Sequence, residues 1–112
     1  MRDIDLEAAA RVLQSVGFNF LRRGADLTLS MSGARWRLDE RTAETFTFRP
    51  VGPPGAPLPA AAEPDLTLVL VEIERITWDR LPRQQQRSQV RFHLRSGEMW
   101  TFSARLDERL LD

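Results

Sequence analysis

Two rhythms alternate along this chain. Leu6, Ala9, Ala10, Leu13 and Val16 step by three and four, the spacing that lines apolar side chains along one stripe of a helix. Asp3 is placed to cap that helix, Asp5 and Glu7 set carboxylates against the positive end of its dipole, and Gly17 offers a left-handed stop. From Phe18 the period becomes two. Leu27, Leu29 and Met31, then Ala34, Trp36 and Leu38, flank Ser32-Gly33; a two-residue loop there pairs Leu29 with Trp36 and gathers every apolar residue on one face. A longer turn over 39–43 follows. Phe46 and Phe48 then continue the apolar face beside Trp36 and Ala34, while Arg35 and Arg37 point the other way.

Six of the seven prolines fall between Pro50 and Pro64, so no strand runs through 50–64 and the segment reads as a loop joining two parts of one sheet. Beyond it, Val69, Val71 and Ile73 share one parity and Ile76 and Trp78 the other. Burying both sets requires a bulge or bend near Glu74. Leu81 to Ser88 is a polar connection. In the closing hairpin an odd loop around Ser96-Gly97 pairs Phe92 with Trp100 and Val90 with Phe102, with Gly97 taking the left-handed position. Arg105 to Asp112 has the apolar spacing of a short helix at Leu106, Leu110 and Leu111. Ser-Gly-x-x-Trp and Arg-Leu-Asp-Glu-Arg each occur twice, but the elements they mark differ in spacing and loop parity, which favours shared turn chemistry over duplication. The expected fold is α+β: a single domain over 1–112, built as a strongly bent antiparallel sheet or half-barrel of about six to seven strands, with an N-terminal helix and a short C-terminal helix.

Composition narrows the function. The 112 residues include no cysteine, lysine or tyrosine and one histidine, His93, which removes thiolate and amine nucleophiles, phenolic acids, cysteine-zinc sites and paired-histidine metal sites. No catalytic residue, cofactor or metal is therefore expected. The paired acids Glu72 and Glu74 have no nucleophile beside them and read as solvated or arginine-paired. All 16 cations are arginines and 16 acids cancel them, so no global field draws the chain to polyanions or membranes. Lysine-free, arginine- and alanine-rich usage fits a GC-rich bacterial genome. With an acidic start, no signal core and no apolar run near the length of a membrane span, a cytoplasmic location is expected.

One stretch departs from this neutrality. Arg80, Arg83, Arg87, Arg91, His93 and Arg95 form a mostly acid-free run, and guanidinium groups on a solvent face can grip phosphates. With Arg35 and Arg37 they make a candidate anion-binding set. The strand parity turns Phe92, Trp100 and Phe102 away from these cations, which denies base stacking on the same face. Trp36, Trp78 and Trp100 are read as core anchors.

Val71-Glu-Ile-Glu-Arg-Ile-Thr-Trp78, and Arg95-Ser-Gly-Glu-Met-Trp-Thr-Phe-Ser-Ala104 running into a helix, resemble the strand after the central connection and the final hairpin of pleckstrin-homology and bacterial GRAM-like domains. The resemblance covers Leu27 to Asp112. Arg35-Trp36-Arg37 is similar to the basic-x-basic pair of family members that bind lipid headgroups, but Ser32-Gly33 is a tight turn and no lysine precedes it. What the resemblance then implies is the family's other habit, presenting a sheet edge or helix to a protein. The function expected is a non-enzymatic bacterial interaction module or adaptor binding a protein partner, with a homodimer open. The alternative is an anion-binding module, for nucleic acid or an acidic headgroup, using the Arg80 to Arg95 stretch.

Overall fold

The computed structural model describes residues 2–24, 28–30, 35–51, 65–81 and 87–105. Asp5, not Asp3, caps the helix: its carboxylate accepts the Ala8 N–H at 2.7 Å, and α1 runs Leu6–Ser15. Asp3 belongs instead to a two-residue strand, β1 (Arg2–Asp3). The Ile4 N–H donates to the Ile76 carbonyl at 3.1 Å, which fixes the chain to the sheet just before the helix begins. Ala8, Ala9, Ala10, Val12 and Leu13 are buried, whereas Val16, expected on the stripe, is 38% exposed. Gly17 does not take a left-handed conformation. Its role is space, since a Cβ there would lie 3.3 Å from Arg35 Cβ.

The strands that follow are β2 (Asn19–Arg23), β3 (Thr28–Ser30), β4 (Trp36–Arg41), β5 (Thr45–Pro50), β6 (Leu66–Val69), β7 (Ile73–Leu81), β8 (Arg87–Leu94) and β9 (Met99–Arg105). A 3-10 turn, Leu70–Glu72, joins β6 to β7. They form two antiparallel sheets, one in the order β1-β7-β8-β9-β2-β3 and the other β4-β5-β6. This corrects the expected architecture of one bent sheet between two helices. Among the described residues there is one α-helix and the structure is mostly strand. Arg105, expected to open a C-terminal helix, closes β9, and 106–112 lie outside the described residues.

The hairpin predicted around Ser32-Gly33 is also replaced. Leu29 pairs with Arg22 of β2, and Trp36 pairs with Pro50 of β5, so the two arms lie in different sheets. Ser32-Gly33 itself, the proline-rich 52–64 and the connection 82–86 lie outside the described residues. The sheets meet at Phe18 and Trp36, which exchange backbone hydrogen bonds of 2.7 and 2.8 Å. The predicted parity survives the change of partner: Trp36, Leu38, Phe46 and Phe48 are buried, and Arg35 and Arg37 exposed. The neighbour differs, with Phe48 beside Leu38 rather than Trp36, and Asp39 is the extra residue of a bulge.

In the second half the bulge stands where expected, at Glu74, with the register shifting between Ile73 and Arg75. The buried set ahead of it does not. Leu68 is buried while Val69 is 38% and Val71 76% exposed, because the register Phe46 to Leu68 and Phe48 to Leu66 turns the leucines inward. The closing hairpin is as predicted: Phe92 opposes Trp100, Val90 opposes Phe102, and Gly97 has φ of 90° in a turn closed by Gly97 N–H to Leu94 O and Leu94 N–H to Glu98 O. Rings from both sheets make the core. Phe102 of β9 stacks on Phe48 of β5 at 4.6 Å, and Phe20 of β2 meets Trp36 edge-on at 5.8 Å. The helix α1 packs against β4.

Candidate functional site

The candidate cations do not form one patch. Arg87, Arg91 and His93 alternate on the outer face of β8, opposite in parity to the buried Ser88, Val90, Phe92 and Leu94. Arg95 lies in the turn beyond, exposed, with its N–H on the Glu72 carbonyl at 2.8 Å and its Nε on the Val71 carbonyl at 3.1 Å. Arg37 lies on the other sheet, facing outward opposite Arg49, and Arg35 immediately precedes β4. Arg49 is itself engaged by Asp39, by Glu40 at 3.1 Å and by Asp65 at 3.5 Å. Arg80 is exposed on β7, and Arg83 lies outside the described residues.

On the outer face, His93 Nε2 lies 3.0 Å from Thr77 Oγ1 and the ring sits between Arg75 and Met99 on the flanking strands. Burial holds its imidazole below the ordinary value, helped by the guanidinium groups of Arg75 and Arg91; Asp3 and Glu74 pull the other way. The unfolded chain therefore takes up this proton at a higher pH than the folded one. Stability attached to neutral His93 is full above the unfolded value of 6.5 and drains as the pH falls through it toward the lower folded value. The expected result is that urea midpoints fall between about pH 7 and pH 5, and that His93→Gln flattens the fall in that window. An unchanged slope in the variant would show that other groups carry it.

Two of the predicted arginines do converge. Arg35, from the segment before β4, and Arg87, at the start of β8, line a recess of about 380 Å³ together with Arg105, Asn19, Val16, Gly17 and Ala104. Arg87 is held in place there by its Nη2, which donates to Asn19 Oδ1 at 2.7 Å and to the Ser103 carbonyl at 3.2 Å. Arg91 takes no part; its Nη2 donates to Gln89 Oε1 at 2.6 Å and its Nε is buried with no partner among the described residues. The apolar spacing of 105–112 reads as a helix, which leaves Arg105 out of the sequence-based set although it closes β9. Carrying the predicted pairing of Phe92 with Trp100 five residues further places Arg105 opposite Arg87, where the structure has it.

A second cleft, of about 260 Å³, opens beside β6. Its walls are the strand itself, Leu94 and Trp100, and Asp65, Glu72, Glu98 and Arg22 rim it. Glu98 is bound by Arg22 Nε and Nη2 and receives the Trp100 indole N–H at 2.5 Å; the Arg22 hydrogen bond comes first in holding its carboxyl below the usual range. Arg22 also lies over the Trp100 ring at 5.5 Å. Strand β6 is the edge of its sheet. Leu70 N–H donates to Glu44 O at 2.8 Å, so the alternation of an antiparallel ladder turns the N–H and C=O of Thr67 and Val69 away from β5.

Among the described residues no three histidine or acidic side chains are grouped to hold a metal ion, and no helix is long and apolar enough to cross a membrane. No protein family, curated protein or solved structure matches the chain, so nothing there speaks for or against the pleckstrin-homology resemblance.

Proposed function

We propose that the chain is a non-enzymatic binding module, an adaptor, inhibitor or regulatory partner of the bacterial cytoplasm, that takes an extended strand of a protein partner along β6. The observation that carries this reading is a sheet edge that is unprotected among the described residues. Sheet edges are ordinarily blunted by charge, proline or brevity, because their free N–H and C=O groups pair with any strand that approaches. The other edges follow that rule: β1 has two residues, β3 three, and β4 carries Arg37, Asp39, Glu40 and Arg41. The edge of β6, Leu-Thr-Leu-Val, carries no charge. Val69 and Val71, two of the three exposed large apolar side chains among the described residues, lie on or next to it.

Strand addition takes its affinity from main-chain hydrogen bonds and its selectivity from alternate side chains. Carboxylates outnumber the one arginine on the cleft rim, so the incoming strand is expected to alternate apolar and basic residues. The test is a display library of extended peptides selected on the whole chain and measured against two edge variants. Thr67→Pro removes one outward N–H without touching the ladder to β5, and should weaken selected peptides about tenfold, the worth of roughly one hydrogen bond. Val69→Lys should blunt the edge and abolish binding. Peptides that bind both variants as well as the parent overturn the proposal. So does sedimentation equilibrium showing a dimer that either variant dissolves, because the occupant is then a second copy.

A further inference from the structure

We infer that a strand added along β6 places an arginine opposite Leu68, with the cleft between the two sheets as the receptor for its side chain; this rests on the strand-addition reading and gives it a side-chain register. Residues directly across a ladder share a face. Thr67 and Val69 turn their main-chain groups outward and are exposed, so they supply the hydrogen bonds to a new strand while their side chains stay in solvent. Leu66 and Leu68 take the alternate positions and face inward, Leu68 fully buried. A partner residue opposite Leu68 therefore enters the cleft of about 260 Å³, and its two neighbours remain outside beside Thr67 and Val69.

The wall and the rim of that cleft differ in kind. Leu94 and Trp100 offer apolar surface to a long aliphatic stem, and Asp65, Glu72 and Glu98 rim it against the single guanidinium of Arg22. These acids are not evenly matched by cations. Arg22 is already held by Glu98, through Nε and Nη2. Asp65 shares Arg49 with Asp39 and Glu40, one cation among three acids. Glu72 is exposed, and among the described residues no cation pairs with its carboxylate. Arginine answers both features: its stem covers the apolar wall, and its planar head, always charged, has five donors with which to reach two carboxylates at once. Lysine brings the charge on a compact, strongly hydrated head, an apolar residue leaves the acids without a counter-charge, and glutamate is repelled.

The test is calorimetric titration of the whole chain with four capped heptapeptides, acetyl-Thr-Val-Thr-X-Thr-Val-Thr-amide, in which X is arginine, lysine, norleucine or glutamate and shares its face with the two valines. The arginine peptide should bind about tenfold more tightly than the norleucine peptide, and the margin should shrink with added salt. Glu72→Gln should erase that margin while leaving the norleucine peptide and the melting temperature unchanged. Thr67→Pro should weaken every peptide alike. Equal binding of the arginine and norleucine peptides, or an arginine margin that survives Glu72→Gln, overturns the arginine receptor and leaves strand addition standing where Thr67→Pro still weakens them all. Tighter binding of the lysine or glutamate peptide overturns it as well. So does N-acetylarginine amide binding as tightly as the heptapeptide, because the cleft is then a small-molecule site. No binding of any of the four peptides at millimolar concentration overturns both proposals together.

Discussion

Replacing Phe102 with alanine should cost about 3–5 kcal/mol, a large part of the roughly 5–15 kcal/mol that holds a domain of this size together. Phe102 is fully buried and its ring is one of those through which the two sheets join. It stacks on Phe48 of the smaller sheet at 4.6 Å and meets Phe20, Phe92 and Phe18 at 5.0, 5.9 and 6.5 Å. Five aromatic side chains thus lose their common neighbour or are lost themselves, and a cavity between two sheets that are hydrogen-bonded within themselves cannot collapse cheaply. Urea unfolding followed by tryptophan signal would show a much lower midpoint. A loss below about 1 kcal/mol would mean that the sheets are not held by this contact.

The second large effect runs the opposite way in volume. Ala9 and Ala10 have no exposed surface, and α1 packs on β4 by this small-residue face. Ala10→Leu adds three carbons where none fit, and should cost about 1–3 kcal/mol or more through displaced rotamers and a shifted helix. Leucine is nearly as good a helix former as alanine, so propensity does not explain such a loss. Gln14→Leu on the exposed side is the control and should stay within about 0.5 kcal/mol. Stabilisation by Ala10→Leu would show room beneath the helix.

Period two told which face a side chain takes and not which strand lies beside it. Trp36, Leu38, Phe46 and Phe48 were therefore assigned inward correctly, while the partner of Leu29 was wrong. Two local pairings competed for 28–30, one across Ser32-Gly33 and one back to 21–23, and apolar parity fits both. The closing hairpin was legible because Gly97 and the pairing of Phe92 with Trp100 demand the same loop length. Around 66–71 nearly every residue is apolar, so alternation carried no signal and the register with β5 chose Leu66 and Leu68 over Val69 and Val71. Asp3 and Asp5 are chemically equal as caps; the ion pair of Asp3 with Arg75 at 2.6 Å and the attachment of Ile4 to β7 decided between them. For the arginines, the sequence supplied a neighbourhood along the chain. The recess is a neighbourhood in space, since it draws one member from 35, one from 87 and one from 105.

Lacking tyrosine, the chain emits ultraviolet fluorescence from its three indoles, which sit in unlike surroundings. Trp36 has no exposed surface, and Trp78 is half-buried with its indole N–H unbonded among the described residues. Trp100 stands at the wall beside β6, its indole N–H on Glu98, and does not reach the arginine recess. That residue is a built-in optical probe: a strand settling on the edge would dry it and change its colour.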